Sequence, residues 1–346
     1  MIDPSDIDHC REAIRHGSRS FHAASSLLPA RVRDPVLALY AFCRLADDQV
    51  DLQLEKSAAV QSLRERLELV YAGRPRNLAA DRAFAAIVED YTMPRALPEA
   101  LLEGLSWDAM GRRYTTLSEL SGYAARVAAS VGAMMCVLMQ VRDRDALARA
   151  CDLGLAMQLT NIARDVGEDA MENRLYLPLD WLYELAIEPE AFLSDPLPSK
   201  RTAVLIRRLL DHADTLYARS EAGISALPFD CRAGIFSARY IYAGIGGRVR
   251  ANGYDSITRR ARTGIAQKIG WLGLSAARSL ASTATPQSSI LYAKPLPETA
   301  FLVDAAAETS VKTHSWSDTL CTAFAQLAHT DNTRKNAFVE SAARFK

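Results

Sequence analysis

What this 346-residue chain lacks narrows it first. Its six cysteines (Cys10, Cys43, Cys136, Cys151, Cys231 and Cys321) form no CxxC pair and join no histidine cluster at zinc spacing. That excludes a structural zinc site and predicts reduced thiols in a cytoplasmic protein. There is no GxGxxG fingerprint, so no NADPH site is expected. No Glu-x-x-His pair occurs, which argues against a di-iron bundle oxidase. There is no net charge either, with 41 basic against 41 acidic residues, and nothing in bulk electrostatics points to nucleic acid. The N-terminal MIDPSDIDHCREAIRHGS is too acidic and polar for a signal peptide. The longest uncharged apolar run, Val127 to Met139, is too short to span a bilayer and reads as a buried core helix. Its Gly132 and neighbouring alanines would let another helix approach closely.

Two further absences set the fold. No run of alternating strand residues is convincing, while alanine, leucine and arginine recur at helical spacing from near Asp6 to about Leu280. No Gly/Ser-rich linker divides the chain. The expectation is all-α: one domain over 1–282, followed by a 283–346 extension, partly irregular, with a helix from Ser317 to Ala328. Helices are predicted over Ala58–Ala72, Ala79–Tyr91, Pro98–Met110, Leu117–Val141, Asp143–Glu168, Thr202–Ala226 and Arg232–Ala251. Asp34-Pro35 reads as cap and first residue of a helix carrying Tyr40 to Leu54. NRLYLP, ending at Pro178, reads as a connection closing over the end of the Asp143–Glu168 helix.

What is present is two short acidic stripes, Asp47/Asp48/Asp51 and Asp165/Glu168/Asp169. At about 100° per residue, Tyr40, Arg44, Asp47 and Asp51 share an arc of roughly 60°, and Gln158, Asn161, Asp165 and Asp169 one of roughly 80°. Each carboxylate row lies on a helix that is otherwise mostly apolar. Buried acid needs positive partners. Mg²⁺, or Mn²⁺ in its place, takes one or two carboxylates and completes its shell with water and substrate phosphate oxygens, so a diphosphate substrate is indicated. Arg44 and Arg164 stand beside the stripes, either to fork onto phosphate or to pair with Asp48 and Asp165. Tyr40, Tyr123, Tyr240 and Tyr242 can present ring faces to a cation or serve as packing residues. Ser20 can bind phosphate or cap a helix.

Together, SRSF (Ser18–Phe21), YAFCRLADDQVD (Tyr40–Asp51), YAARVAASVG (Tyr123–Gly132), QLTNIARDVGED (Gln158–Asp169) and RLYLP (Arg174–Pro178) resemble the squalene and phytoene synthase family over roughly Ser18 to Lys268. The wording is closest to the bacterial phytoene-forming branch. That resemblance implies a single isoprenoid synthase domain around a deep central cavity, joining two prenyl diphosphates head to head. It implies Asp47 and Asp51 as one metal signature and Asn161, Asp165 and Asp169 as the other. Tyr40, Arg44, Gln158 and Arg164 match substrate and diphosphate contacts, and Tyr123 and Tyr242 match cavity positions. Arg259 and Arg260 are alternatives for a further basic residue. In the phytoene branch two geranylgeranyl diphosphates pass through prephytoene diphosphate without a reductant, the first committed step toward carotenoids. Small residues Ala23, Ala24, Ser25 and Ser26 are expected along the cavity wall, leaving length for that chain. The alternatives are a thirty-carbon synthase using farnesyl diphosphate and a non-catalytic assembly factor on the same scaffold. A long isoprenoid product must leave into lipid, so peripheral contact with the inner membrane is part of the expectation.

Overall fold

The computed structural model describes residues 2–17, 19–52 and 56–308, and within them leaves aside the side chains of 13, 15–17, 19–21, 47–52 and 56–58. The described residues are helical and contain no strand. In chain order the helices are α1 (Pro4–Gly17), α2 (Arg19–Ser25), α3 (Ala30–Leu52), α4 (Lys56–Tyr71), α5 (Ala79–Asp90), α6 (Ala96–Ala109) and α7 (Leu117–Ala124). A π-turn, Ala125–Ala129, joins α7 to α8 (Ser130–Leu138). Then come α9 (Arg144–Met171), the short α10 (Leu179–Glu184) and α11 (Pro189–Ser194), α12 (Lys200–Ile224), α13 (Phe229–Ala251), α14 (Ile265–Ala281) and α15 (Ala300–Glu308).

The central element is α9. Asp143 caps it, its carboxylate accepting from Ala146 N at 2.9 Å. The helix then packs on α12, α13, α8, α15 and the π-turn. Close approach is bought by small residues. A Cβ on Gly132 would sit 2.6 Å from Ala150 O, and one on Gly154 2.6 Å from both Ala128 O and Ala129 Cα. These are backbone contacts that cannot move aside. The run from Val127 is therefore core: Ala129, Ala133, Met134 and Cys136 are fully buried, and Leu117–Leu138, although long and apolar enough to cross a membrane, is mostly enclosed by the bundle.

Two boundaries differ from the sequence expectation. Helix α3 starts at Ala30, so Pro35 lies inside it. Pro35 has no N–H to offer Arg31 O four residues back, and the Tyr91 hydroxyl donates to that carbonyl instead, at 3.2 Å. The compact unit also runs past Ser282 to include α15. The irregular composition of 283–299 conceals anchoring by the buried Arg149, which donates to Ile290 O at 2.5 Å, while the half-buried Arg142 holds α15 by donating to Ala306 O at 3.0 Å. Leu302, Val303 and Ala306 of α15 are completely buried. The expected helix at Ser317–Ala328 lies outside the described residues.

Because Gly154 faces backbone rather than a yielding side chain, Gly154→Ala is expected to destabilise the protein by about 1–3 kcal/mol despite better helix propensity. A lower unfolding temperature checks this. Gly122, whose Cβ would meet nothing within 4 Å, is the control, and Gly122→Ala should be neutral or stabilising.

Candidate active site

One face of α9 lines a cavity along most of the helix. Ala146, Ala150, Leu153, Gly154 and Met157 line an apolar chamber of about 280 Å³, and Arg164, Asp165 and Asp169 line a polar chamber of about 720 Å³. Gln158 and Asn161 belong to both, as do Tyr40, Cys43, Val127, Val131 and Tyr242, so the two chambers adjoin across a shared wall. The i, i+3, i+4 spacing of these α9 residues is what keeps them on one face. From Ala146 to Asn161 the apolar stretch extends about 22 Å at ~1.5 Å per residue, the reach of a long isoprenoid tail.

The opposite walls come from α3 and from the π-turn. Helix α3 contributes Val36 and Leu39 to the apolar end and Arg44 to the polar end. It continues as helix through Leu52, but the side chains of Asp47 and Asp51 lie outside the described residues, as does that of Ser20. Val127, in the π-turn, borders both chambers, while Met135 and Met139 line the apolar one near Ala146.

The acidic end of α9 is compensated by arginine. Arg164 Nε and Nη2 donate to the two oxygens of Asp165 at 2.7 and 2.5 Å. Arg260 reaches the same carboxylate at 3.2 Å and Glu168 at 2.8 Å. Of Arg259 and Arg260, it is Arg260 that lines the polar chamber. The contact with Asp165 realises the ion-pair reading of Arg164. Asp169 fares differently: burial, reinforced by repulsion from Asp165, pushes its carboxyl up to about 8, and Arg174 offsets this only in part. Nearby, the side-chain oxygen of Asn161 is buried with no hydrogen-bond partner. Among the described residues no group of three His, Cys, Asp or Glu side chains forms a metal cluster. The Asn161 oxygen, without a hydrogen-bond partner, and the carboxyl of Asp169, only partly offset by Arg174, are nevertheless hard oxygen donors, which suits a divalent cation of the Mg²⁺ type.

The sequence pattern did not single out Asp108. Its carboxylate accepts from Tyr123 Oη at 2.7 Å and Tyr176 Oη at 2.8 Å, and all three residues line the polar chamber. The rings of Tyr123 and Tyr176 stack with centroids 5.3 Å apart, and Tyr114 packs on Tyr123 at 5.2 Å. Burial and the Asp108 charge raise both phenols well above the ordinary range, so they stay protonated donors. Tyr176 arrives through the RLYLP connection, which folds back as expected: Arg174 N donates to Asp169 O at 2.7 Å. Only the quoted motif hinted at Tyr176, and Asp108 stands alone in its stretch of sequence.

One expectation fails. Ala23, Ala24, Ser25 and Ser26 line neither chamber. Helix α2 lies instead against α13, where Leu28 and the Ala24 carbonyl crowd Gly234, and Ser25 and Ser26 donate to carbonyls of their own helix. Of the two roles open to Tyr240 it takes the packing one, lining neither chamber, 3.1 Å from Arg278 and stacked on Phe236. Tyr40, Tyr123, Gln158, Asn161, Arg164, Asp165, Asp169 and Tyr242 do converge.

The pattern of the squalene/phytoene synthase family matches residues 14–267. The chain is 59% identical over 341 residues to a phytoene synthase of Cereibacter sphaeroides, covering 96% of each chain. It is 60% identical over 314 residues to one of Rhodobacter capsulatus, covering 90% of this chain and 93% of that relative. The fold is similar to a crystal structure of a dehydrosqualene synthase in complex with ligand, with TM-score 0.74 and 31% identity over 80% of this chain and 97% of that one.

A raised carboxyl carries a stability signature. Between the unfolded value of 3.8 and about 8, the folded state keeps the Asp169 proton that the unfolded state gives up, so stability falls as pH rises through that window. With chelator present, Asp169→Asn is expected to raise the unfolding temperature at pH 8–9 and leave it nearly unchanged at pH 4. Parallel melting curves at the two pH values check it, and an unchanged difference would contradict the assigned burial effect.

Proposed function

The chain belongs to the squalene/phytoene synthase family, and from that membership we propose that it is a metal-dependent prenyltransferase that condenses two geranylgeranyl diphosphates head to head into phytoene. The observation that supports this most is the pair of adjoining chambers along which one face of α9 runs from carboxylates and arginines to a long apolar wall. Such a cavity separates the two halves of an amphiphilic substrate: diphosphate at one end, tail at the other.

In this reading Asp47, Asp51, Asn161, Asp165 and Asp169 hold Mg²⁺, with Mn²⁺ able to replace it. The metal supplies Lewis-acid neutralisation of the diphosphate charge. Arg44, Arg164 and Arg260 fork onto the leaving diphosphate, and the last two exchange their carboxylate partners for phosphate oxygens when substrate enters. Tyr40 and Gln158 stand at the junction of the chambers, where the allylic carbon and the diphosphate meet. The apolar chamber excludes water from the allylic cation, which the double bond of the second substrate then attacks. Tyr242 lies at the same boundary and Tyr123 on the wall of the polar chamber, and both offer ring faces to positive charge. A second ionisation of the cyclopropyl intermediate, rearrangement and proton loss complete phytoene with no hydride donor, so no NADPH is required. The partners are prenyl diphosphates.

The expected assay outcome is phytoene from geranylgeranyl diphosphate and Mg²⁺ alone, with farnesyl diphosphate consumed far more slowly. A thirty-carbon hydrocarbon as the preferred product, or a requirement for NADPH, would overturn the assignment in favour of the shorter-chain branch. Replacing one charged ligand, Asp47→Asn or Asp165→Asn, should leave a folded protein whose turnover falls by about 10²-fold or more. Near-native turnover at saturating Mg²⁺ would remove that residue from the proposed ligand set.

A further inference from the structure

Helix α14 is turned inside out relative to an ordinary surface helix. Ile265, Ile269, Leu274 and Leu280 are 80%, 63%, 45% and 64% exposed. Its small polar residues point the other way, with Ser275 at 0% and Ser279 at 4%. At about 100° per residue, Ile265, Ala276, Ile269 and Leu280 fall within an arc of roughly 60°. The exposed alanines and glycines widen this stripe without adding any charge. The helix is held from behind. Trp271 packs on α13, where a Cβ at Gly244 would be only 2.1 Å from the indole, and Arg278 bonds Tyr240 and Glu221. A continuous apolar ridge therefore remains on a helix whose docking residues are already used.

Charge identifies the occupant. From Ser256 to Pro297 the sequence holds no Asp or Glu, while Arg259, Arg260, Arg262, Lys268, Arg278 and Lys294 fall in it. Arg259 and Arg262 are exposed just ahead of Ile265, and Arg260, five residues ahead of α14, lines the polar chamber. An apolar stripe flanked by basic residues fits an anionic bilayer surface, with the stripe at the acyl boundary and guanidinium groups among the headgroup phosphates. A second copy of this chain would supply apolar surface, but its own Ser256–Pro297 segment would bring the same positive charge. We propose that the outward face of α14, with Arg259 and Arg262, docks the protein on anionic phospholipid next to the catalytic cavity. Its use for product release rests on the prenyl chemistry proposed above; the docking itself does not.

The full chain without substrate is floated with vesicles of phosphatidylcholine alone and of phosphatidylcholine mixed with phosphatidylglycerol. Binding is expected to the mixed vesicles, and weaker binding at high salt. The double variant Ile269→Glu/Leu280→Glu should lower partitioning by roughly ten-fold or more, and Arg259→Gln/Arg262→Gln should remove most of the preference for anionic lipid. Both variants are expected to keep wild-type unfolding temperature and turnover on detergent-dispersed geranylgeranyl diphosphate. Failure of the full chain to float, or equal floating of the double variant, overturns the proposal. So does a sedimentation result in which the double variant turns a dimer into a monomer while vesicle binding is unchanged. A chain that floats yet forms no hydrocarbon refutes the catalytic reading alone; one that forms hydrocarbon yet does not float refutes the docking alone.

Discussion

A carboxylate taken out of water is tolerated only where something positive or a hydrogen-bond donor meets it. Helix α9 carries Asp165 and Asp169 one turn apart at the inner end of its cavity face, and much of the polar chamber is arranged around that fact. Arg164 and Arg260 meet Asp165 from two sides. Asp169 has only the partial offset of Arg174, and so its proton is held up to about 8. Asp108 is satisfied differently, by two phenolic protons from Tyr123 and Tyr176. Three of the acids lining this chamber are thus treated in three ways. The asymmetry separates a structural role, taken by Asp108, from positions whose charge remains to be balanced by a ligand.

The same helix ties the site to the fold. Its apolar half packs so closely on the neighbouring segment that glycine is required at 132 and 154, where any side chain would strike backbone. The π-turn Ala125–Ala129 lies at that contact, and its Val127 forms part of both chambers. Rigid packing and cavity shape are therefore one property. Interiors this dense transmit a displaced methyl group rather than absorb it. A cavity that must keep water from a carbocation gains from walls that cannot breathe.

The parts legible in the sequence were those with a period. Gln158, Asn161, Asp165 and Asp169 recur every three or four residues, and α9 brings them to one chamber. Gly132 was readable because small residues clustered around it in an uncharged run. What escaped was set by contacts distant in sequence. Asp108 meets Tyr176 across 68 positions, and Arg149 meets the Ile290 carbonyl across 141. Residues 283–299 have the composition of a linker, yet the buried guanidinium of Arg149 holds them down at Ile290, which no local pattern records. Pro35 misled for a related reason: the carbonyl it leaves unbonded is satisfied by Tyr91, 60 residues on from Arg31. The small residues at Ala23–Ser26 serve helix packing against Gly234, a role that composition alone cannot distinguish from cavity lining.

The proposed chemistry places an unusual demand on such a cavity. Each substrate has a charged head that the polar chamber grips, but once both diphosphates have left, the product is hydrocarbon throughout. Nothing in the polar chamber then holds it, and only the apolar wall does. Release into water would expose that whole surface at about 25 cal/mol per Å², a barrier that grows with chain length. Release into lipid exposes almost none. The wall between the chambers and the exterior includes α13, which carries Tyr242 toward the cavity and receives Trp271 of α14 at Gly244. An enzyme that makes a water-insoluble product from charged precursors needs one side facing the aqueous supply and another close to a lipid sink. The acidic and basic groups of the chamber answer the first need; the outward apolar stripe of α14 answers the second.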